Sequence, residues 1–217
     1  MKDIKKIINL DYISIKPYFT LKNLIILLFL YFFYFFISKN PMAATSVILF
    51  FSIIYSSYPF LIGEEAGIDS LYRIFGIKSE KVVIGRYVFA LVLFIFAFLI
   101  SIVFSTIFSF FVETTDIKEF FATSFAYLLV YLIFISLKYP LYFKFGYKKA
   151  KSISALTFAL IGILTFLVMT FKDSLNYFFV LMENNIFMTL LISLLLVLLI
   201  TFISINLSQK FYKRRDF

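Results

Sequence analysis

The chain has no cysteine, no histidine and no tryptophan among its 217 residues. Without cysteine there is no disulfide, no thiolate nucleophile and no zinc–thiolate centre, and without histidine the commonest general base and metal ligand is missing as well. Enzyme classes built on those groups are disfavoured. Charge is scarce too: 15% of residues are Asp, Glu, Lys or Arg against 63% hydrophobic, too little polar surface to cover a soluble domain. This composition belongs in a bilayer. With Trp absent, interfacial anchoring falls to the 15 Tyr, while the 33 Phe suit lipid-facing and packing positions.

Apolar runs long enough to cross about 30 Å of hydrocarbon predict an all-α integral membrane protein, one transmembrane domain over 1–217, with six spans. These are Leu21–Ser38, Met42–Ile62, Tyr87–Val112, Phe120–Leu137, Ile153–Phe171 and Ile186–Leu207. The tight join at Lys39-Asn40-Pro41 predicts a helical hairpin. Of the 21 Lys and Arg, all but Lys39, Lys118 and Lys172 fall on one side of this topology. The positive-inside rule therefore places both termini in the cytoplasm. The net charge of +9 reports topology and anionic head groups, and requires no nucleic acid. A signal peptide does not fit the polar start.

Residues Met1 to Ile15 carry Ile4, Ile7, Ile8, Tyr12 and Ile15 at helical spacing, with Lys2, Lys5, Lys6 and Asn9 elsewhere around the wheel. This predicts an interfacial helix ended by Pro17. The longest polar interruption, "GEEAGIDSLYRIFGIKSEKVVIGRY" (63–87), lies between the second and third spans. There Ile68, Leu71, Tyr72 and Phe75 repeat at i, i+3, i+4 and i+7, Glu64 and Glu65 suit a helix N-terminus, and Gly76 suits a C-terminal stop. The polar face mixes acids with bases, which favours docking onto a protein over lying on lipid. On the opposite side, Asp173 and Ser174 precede a helix with Leu175, Phe178, Phe179 and Met182 on one face. Asp116 and Glu119 have capping-box spacing ahead of the fourth span. After that span, "LKYPLYFKFGYKKAKS" alternates aromatic and basic residues, as an interfacial belt does, with Pro140 at the cytoplasmic end.

The central portions of these spans hold no ionisable residue, which disfavours an ion-driven carrier. Metalloprotease chemistry needs His, and no phosphate-binding loop is present; Gly76-Ile77-Lys78-Ser79 has the wrong spacing behind it. The chain itself then binds no cofactor and performs no catalysis.

The order of these parts carries a resemblance: an amphipathic N-terminal helix, a helical hairpin, "E-x-G-x-D-x-L-Y-R-x-x-G-I" followed by "V-V-I-G-R-Y", "P-L-Y-F-K-F-G-Y" after span four, and an external helix before span six. It resembles a type 2 ABC exporter permease over essentially the whole chain, most like the small six-span permeases of bacterial exporters for phenol-soluble modulins and bacteriocin-type peptides. The resemblance implies a non-catalytic half-transporter in the bacterial cytoplasmic membrane. It would pair with a second permease, identical or paralogous, above two ATPase subunits that bind ATP and Mg²⁺. It also implies that the loop between spans two and three is a coupling helix, with Glu65, Asp69, Leu71, Tyr72, Arg73, Phe75 and Ile77 contacting the ATPase, and that Leu175, Phe178, Phe179 and Met182 form an external gate helix. Family members often carry Leu-Pro before the Ile, where this chain has Phe75-Gly76.

A seam lined by Phe, Leu and Ile suits amphipathic cargo: peptide toxins or antimicrobial peptides first, lipids or hydrophobic drugs next. Two alternatives compete. The substrate-capturing subunit of an energy-coupling-factor importer would need a polar ligand pocket and Ala-x-x-x-Ala docking motifs, and neither is present. A non-transport scaffold or immunity protein would not co-purify with an ATPase.

Overall fold

The computed structural model describes residues 2–109, 117–171, 180 and 185–215. Within them every regular element is helical. The helices are α1 (Lys2–Ile15), α2 (Leu21–Ser38), α3 (Pro41–Tyr55), α4 (Tyr58–Glu65), α5 (Ile68–Ile74), α6 (Ser79–Ser109), α7 (Ile117–Phe145), α8 (Tyr147–Thr170) and α9 (Ile186–Arg214), with a 3₁₀ turn at Lys16–Tyr18. Five segments among the described residues are long and apolar enough to cross a membrane: Leu21–Ser38, Ala43–Glu65, Ser79–Phe108, Phe121–Phe145 and Ile186–Arg214. Helix α8 covers the segment where another span was expected. The external-helix residues Leu175, Phe178, Phe179 and Met182 lie outside the described residues.

Local chemistry sets the helix ends. The Thr20 hydroxyl accepts from the Asn23 N–H at 3.2 Å and starts α2. Lys39, in the left-handed region at φ 50°, ends it. The Asn40 side chain then accepts from the Ala43 N–H at 3.3 Å, and Pro41 opens α3 at the position where its missing N–H costs nothing. The expected hairpin is formed by these residues.

The second expected span differs from a continuous helix. It breaks at Ser56-Ser57, because Pro59 cannot donate to the carbonyl one turn back and its ring crowds that turn. Two serine hydroxyls, those of Ser56 and Ser57, donate to the Ile53 carbonyl at 2.8 and 3.2 Å. Polar groups freed by the break are thus satisfied locally. Other helices overrun the expected spans: α6 begins at Ser79 and α7 runs through Pro140 to Phe145, where Gly146, at φ 79°, turns the chain. Hydropathy marks the hydrocarbon-crossing part of a helix, and these helices continue beyond it.

The Cα framework divides at Tyr131/Leu132 into two compact units. In the first, α1 and α3 pack on α6, and Ile15, Tyr55, Phe89 and Leu93 form a buried cluster. The Tyr131 hydroxyl donates to the Ala90 carbonyl at 2.7 Å, and its ring lies 4.9 Å from that of Phe94. In the second unit, small polar residues join α7 to α9: the Ser204 hydroxyl donates to the Ser136 carbonyl at 2.6 Å, and Ser136 bonds Thr201 at 3.1 Å. Such contacts hold helices together where apolar burial offers no advantage over lipid.

Candidate functional site

Two glycines isolate α5 from its neighbours. Gly67 (φ 65°) precedes it and Gly76 (φ 64°) follows it; both are left-handed, which a side chain would strain. At the C-terminus the Ile77 N–H reaches the Tyr72 carbonyl at 2.9 Å and the Gly76 N–H reaches Arg73 at 3.0 Å. This pair of bonds is the Schellman arrangement, so Gly76 is the helix stop that its position in the sequence predicts.

Helix α5 and its C-cap, Phe75, face two ways. Asp69 and Tyr72 point inward, each 5% exposed. Leu71, Ile74 and Phe75 point outward, with Ile74 and Phe75 both 75% exposed. At i, i+3 and i+4 these three make one apolar knob. Arg73 and Glu65 are exposed beside it, and Ile77 is half-buried. The predicted apolar face is therefore divided: Tyr72 packs inside, and Ile74, which the spacing argument did not select, takes a place on the outer surface.

The inward side of α5 meets a buried ion cluster. Arg86, in the second turn of α6 and 1% exposed, donates from Nη2 to Asp69 Oδ1 at 2.9 Å. Its Nε lies 4.0 Å from Oδ1 of Asp11, on α1. The guanidinium carbon sits 4.4 Å from the centroid of the Phe60 ring, on α4, a cation–π contact. A Cβ on Gly63 would stand 2.7 Å from Nη2, so only glycine leaves room for the guanidinium against α4. One side chain thus joins four helices. Burying an unpaired cation costs several kcal/mol, and the hydrogen-bonded Asp69 carboxylate and an aromatic face offset that cost here.

Asp11 is the group most perturbed by this setting. Burial pushes its carboxyl up to about 7, with Arg86 opposing the shift and Asp69 adding to it. Burial likewise raises the Tyr72 phenol, with the Asp11 carboxylate contributing. Neither Asp11 Oδ2 nor the Tyr72 hydroxyl has a hydrogen-bond partner among the described residues.

Helix α1 is held to α6 at two further points. Ile7, Asp11 and Ile15 form its buried stripe at spacing i, i+4, i+8, at 1%, 1% and 0% exposure. A Cβ on Gly85 would come within 2.7 Å of Ile7 Cγ2, so α1 seats directly on the backbone of α6. Nearer the surface, Lys81 pairs with Asp3 and holds its carboxyl below the usual range. Of the expected apolar face of α1, Ile7 and Ile15 are buried against the protein, Ile4 and Ile8 are half-buried and Tyr12 is 53% exposed; Asp11, outside that face, lies on the buried side.

Sequence reasoning did not select Asp11, Phe60, Gly63 or Arg86. A signal existed for the first, since Asp11 stands one turn from both Ile7 and Ile15 in an otherwise apolar stripe. Arg86 carried another, being the one charge in "VVIGRYVFALVLF".

Compared with known proteins, residues 6–213 match the family model described as ABC-2 family transporter protein. No curated protein and no solved structure matches.

Proposed function

The chain belongs to the ABC-2 transporter family, and from that premise we propose that α5 is the element through which a nucleotide-hydrolysing partner drives it. The protein is a multi-pass membrane component of an ABC transporter, the permease that works with ABC ATPase subunits. In the proposed arrangement six spans cross the bacterial cytoplasmic membrane with both termini inside. A second permease, identical or paralogous, completes the path, and ATP and Mg²⁺ bind to the partner ATPases.

The observation that carries this reading is the outward apolar knob of Leu71, Ile74 and Phe75, stopped at each end by a left-handed glycine and anchored behind by Asp69 on Arg86. An exposed apolar patch on a short rigid helix suits a groove on a globular partner. Leu71, Arg73 and Phe75, with Glu65 at the edge, make the contact. Asp69 and Tyr72 act from behind it as positioning residues. Closure of the ATPases displaces α5, and Arg86 carries that displacement into α6 and α1 as a rigid-body movement. The cargo is an amphipathic peptide, a toxin or antimicrobial peptide, moved outward, with the segment of Leu175, Phe178, Phe179 and Met182 as the external gate.

Co-expression with the cognate ATPase tests the coupling step. Wild-type permease should co-purify with it and support ATPase activity of the complex. Phe75→Asp should lose both while inserting normally. Retained association would remove α5 from the interface.

A further inference from the structure

Between α1 and α6 lies an open groove of about 690 Å³, within the range of small-ligand sites, roughly 300–1,000 Å³. Its two walls differ in chemistry. From α6 come Phe89, Val92, Leu93 and Phe96, whose spacing makes a single apolar stripe. From α1 and the turn after it come Lys5, Asn9, Tyr12 and Lys16 together with the apolar Ile8 and Phe19, all exposed except the half-buried Ile8, so only this wall carries charge. No acidic residue is among the described residues that line the groove. Both acids of α1 are engaged elsewhere, Asp3 with Lys81 and Asp11 against Arg86. The field inside is accordingly positive.

The groove is also continuous with lipid-facing surface. Val92 and Phe96 are 46% and 58% exposed, and Ile95 and Leu99 beside them are equally open. On a membrane-spanning helix such residues contact hydrocarbon. A matching ligand must be apolar along its length, anionic at one end, and able to enter sideways from the bilayer. We propose that this groove binds one anionic phospholipid, with an acyl chain along the α6 stripe and the phosphate on the lysine wall. The site is separate from the α5 knob and stands whether or not that knob docks an ATPase. A lysine with its ammonium at the interface and its stem along apolar surface is well suited to such a head group.

The test uses the full chain purified in neutral detergent and native mass spectrometry of lipid retention. The probes are dioleoyl-phosphatidylglycerol, dioleoyl-phosphatidylcholine and inorganic phosphate. One phosphatidylglycerol should be retained in preference to phosphatidylcholine, and phosphate alone should not. Lys5→Gln with Lys16→Gln should weaken phosphatidylglycerol by about fivefold per lysine and leave phosphatidylcholine unchanged. Val92→Trp keeps both lysines but fills the groove, and should weaken both lipids. The exposed pair Lys148→Gln with Lys149→Gln should change neither. Equal retention of the two lipids, an unaffected lysine double variant, an equal loss from the Lys148/Lys149 pair, or phosphate retained alone would each overturn the assignment. If the lysine variant loses helicity, Val92→Trp decides the matter: unchanged lipid retention by it also overturns the proposal.

Discussion

Replacing Asp11 with Asn should abolish most of the pH dependence of stability between pH 5 and 7, and should stabilise the protein at the upper end. The folded-state carboxyl titrates near 7 because it is buried, with Arg86, Asp69 and Tyr72 as its charged and titratable neighbours; the unfolded value is 3.8. An acid whose folded value is raised holds its proton longer when folded. Between 3.8 and about 7 the folded state therefore binds more protons than the unfolded state, and stability falls as pH rises. At about 1.4 kcal/mol per unit, the full window is worth about 4 kcal/mol, of which about 2 kcal/mol lies between pH 5 and 7. With no histidine in the chain, the usual titrating group of that window is absent. Reversible unfolding in dodecyl sulfate, followed by far-ultraviolet circular dichroism at pH 5 and pH 7, measures the difference. Wild type should lose about 2 kcal/mol over this interval, and Asp11→Asn should stay nearly level. Parallel slopes in the two proteins would refute the reasoning, as would a wild type that gains stability toward pH 7.

Three further outcomes follow from the same geometry. Arg86→Met should destabilise by about 3–5 kcal/mol, because it leaves Asp69 buried without its partner. Adding Asp69→Leu should recover most of that loss in the same unfolding assay. Gly85→Ala should cost about 1–3 kcal/mol by pressing on Ile7 and should speed proteolysis within α1. Ile7→Ala should cost less in that background than in wild type, by about 0.5 kcal/mol or more, whereas additive costs would mean that the two positions are not in contact. Phe75→Asp should leave stability within about 0.5 kcal/mol of wild type, since the ring is 75% exposed, and the loss of ATPase co-purification then reports docking alone.

Composition and periodicity carried most of the architecture, because each depends on local sequence. The hairpin at Lys39-Asn40-Pro41, the helix around Leu71 and its stop at Gly76 are written in residues within one turn of one another. The break at Ser56-Ser57 was legible in principle from Pro59, but apolar residues on both sides gave a continuous hydropathy signal. The ion cluster was harder to see. Asp11, Asp69 and Arg86 are far apart in the chain, and nothing local distinguishes a buried ion pair from interfacial charges at the end of a span. Hydropathy thus placed Arg86 at a margin, whereas the early start of α6 puts it well inside a helix. The same limit explains Asp69: its spacing opposite Leu71 and Phe75 suggests a polar outer face, and only its pairing with Arg86, from a helix that lies against α4, turns it inward.

Helix α6 runs unbroken for 31 residues, about 46 Å, while its neighbour α3–α4 is interrupted at Ser56-Ser57. The two can respond to the same force in opposite ways. A sideways nudge delivered at Arg86 arrives near one end of a stiff rod, and a rod pivoting within the bilayer swings its distant end the other way. The jointed neighbour absorbs the same nudge at its elbow and passes little onward. If the α5 knob is where a partner pushes, as proposed, the push would be routed along α6 alone.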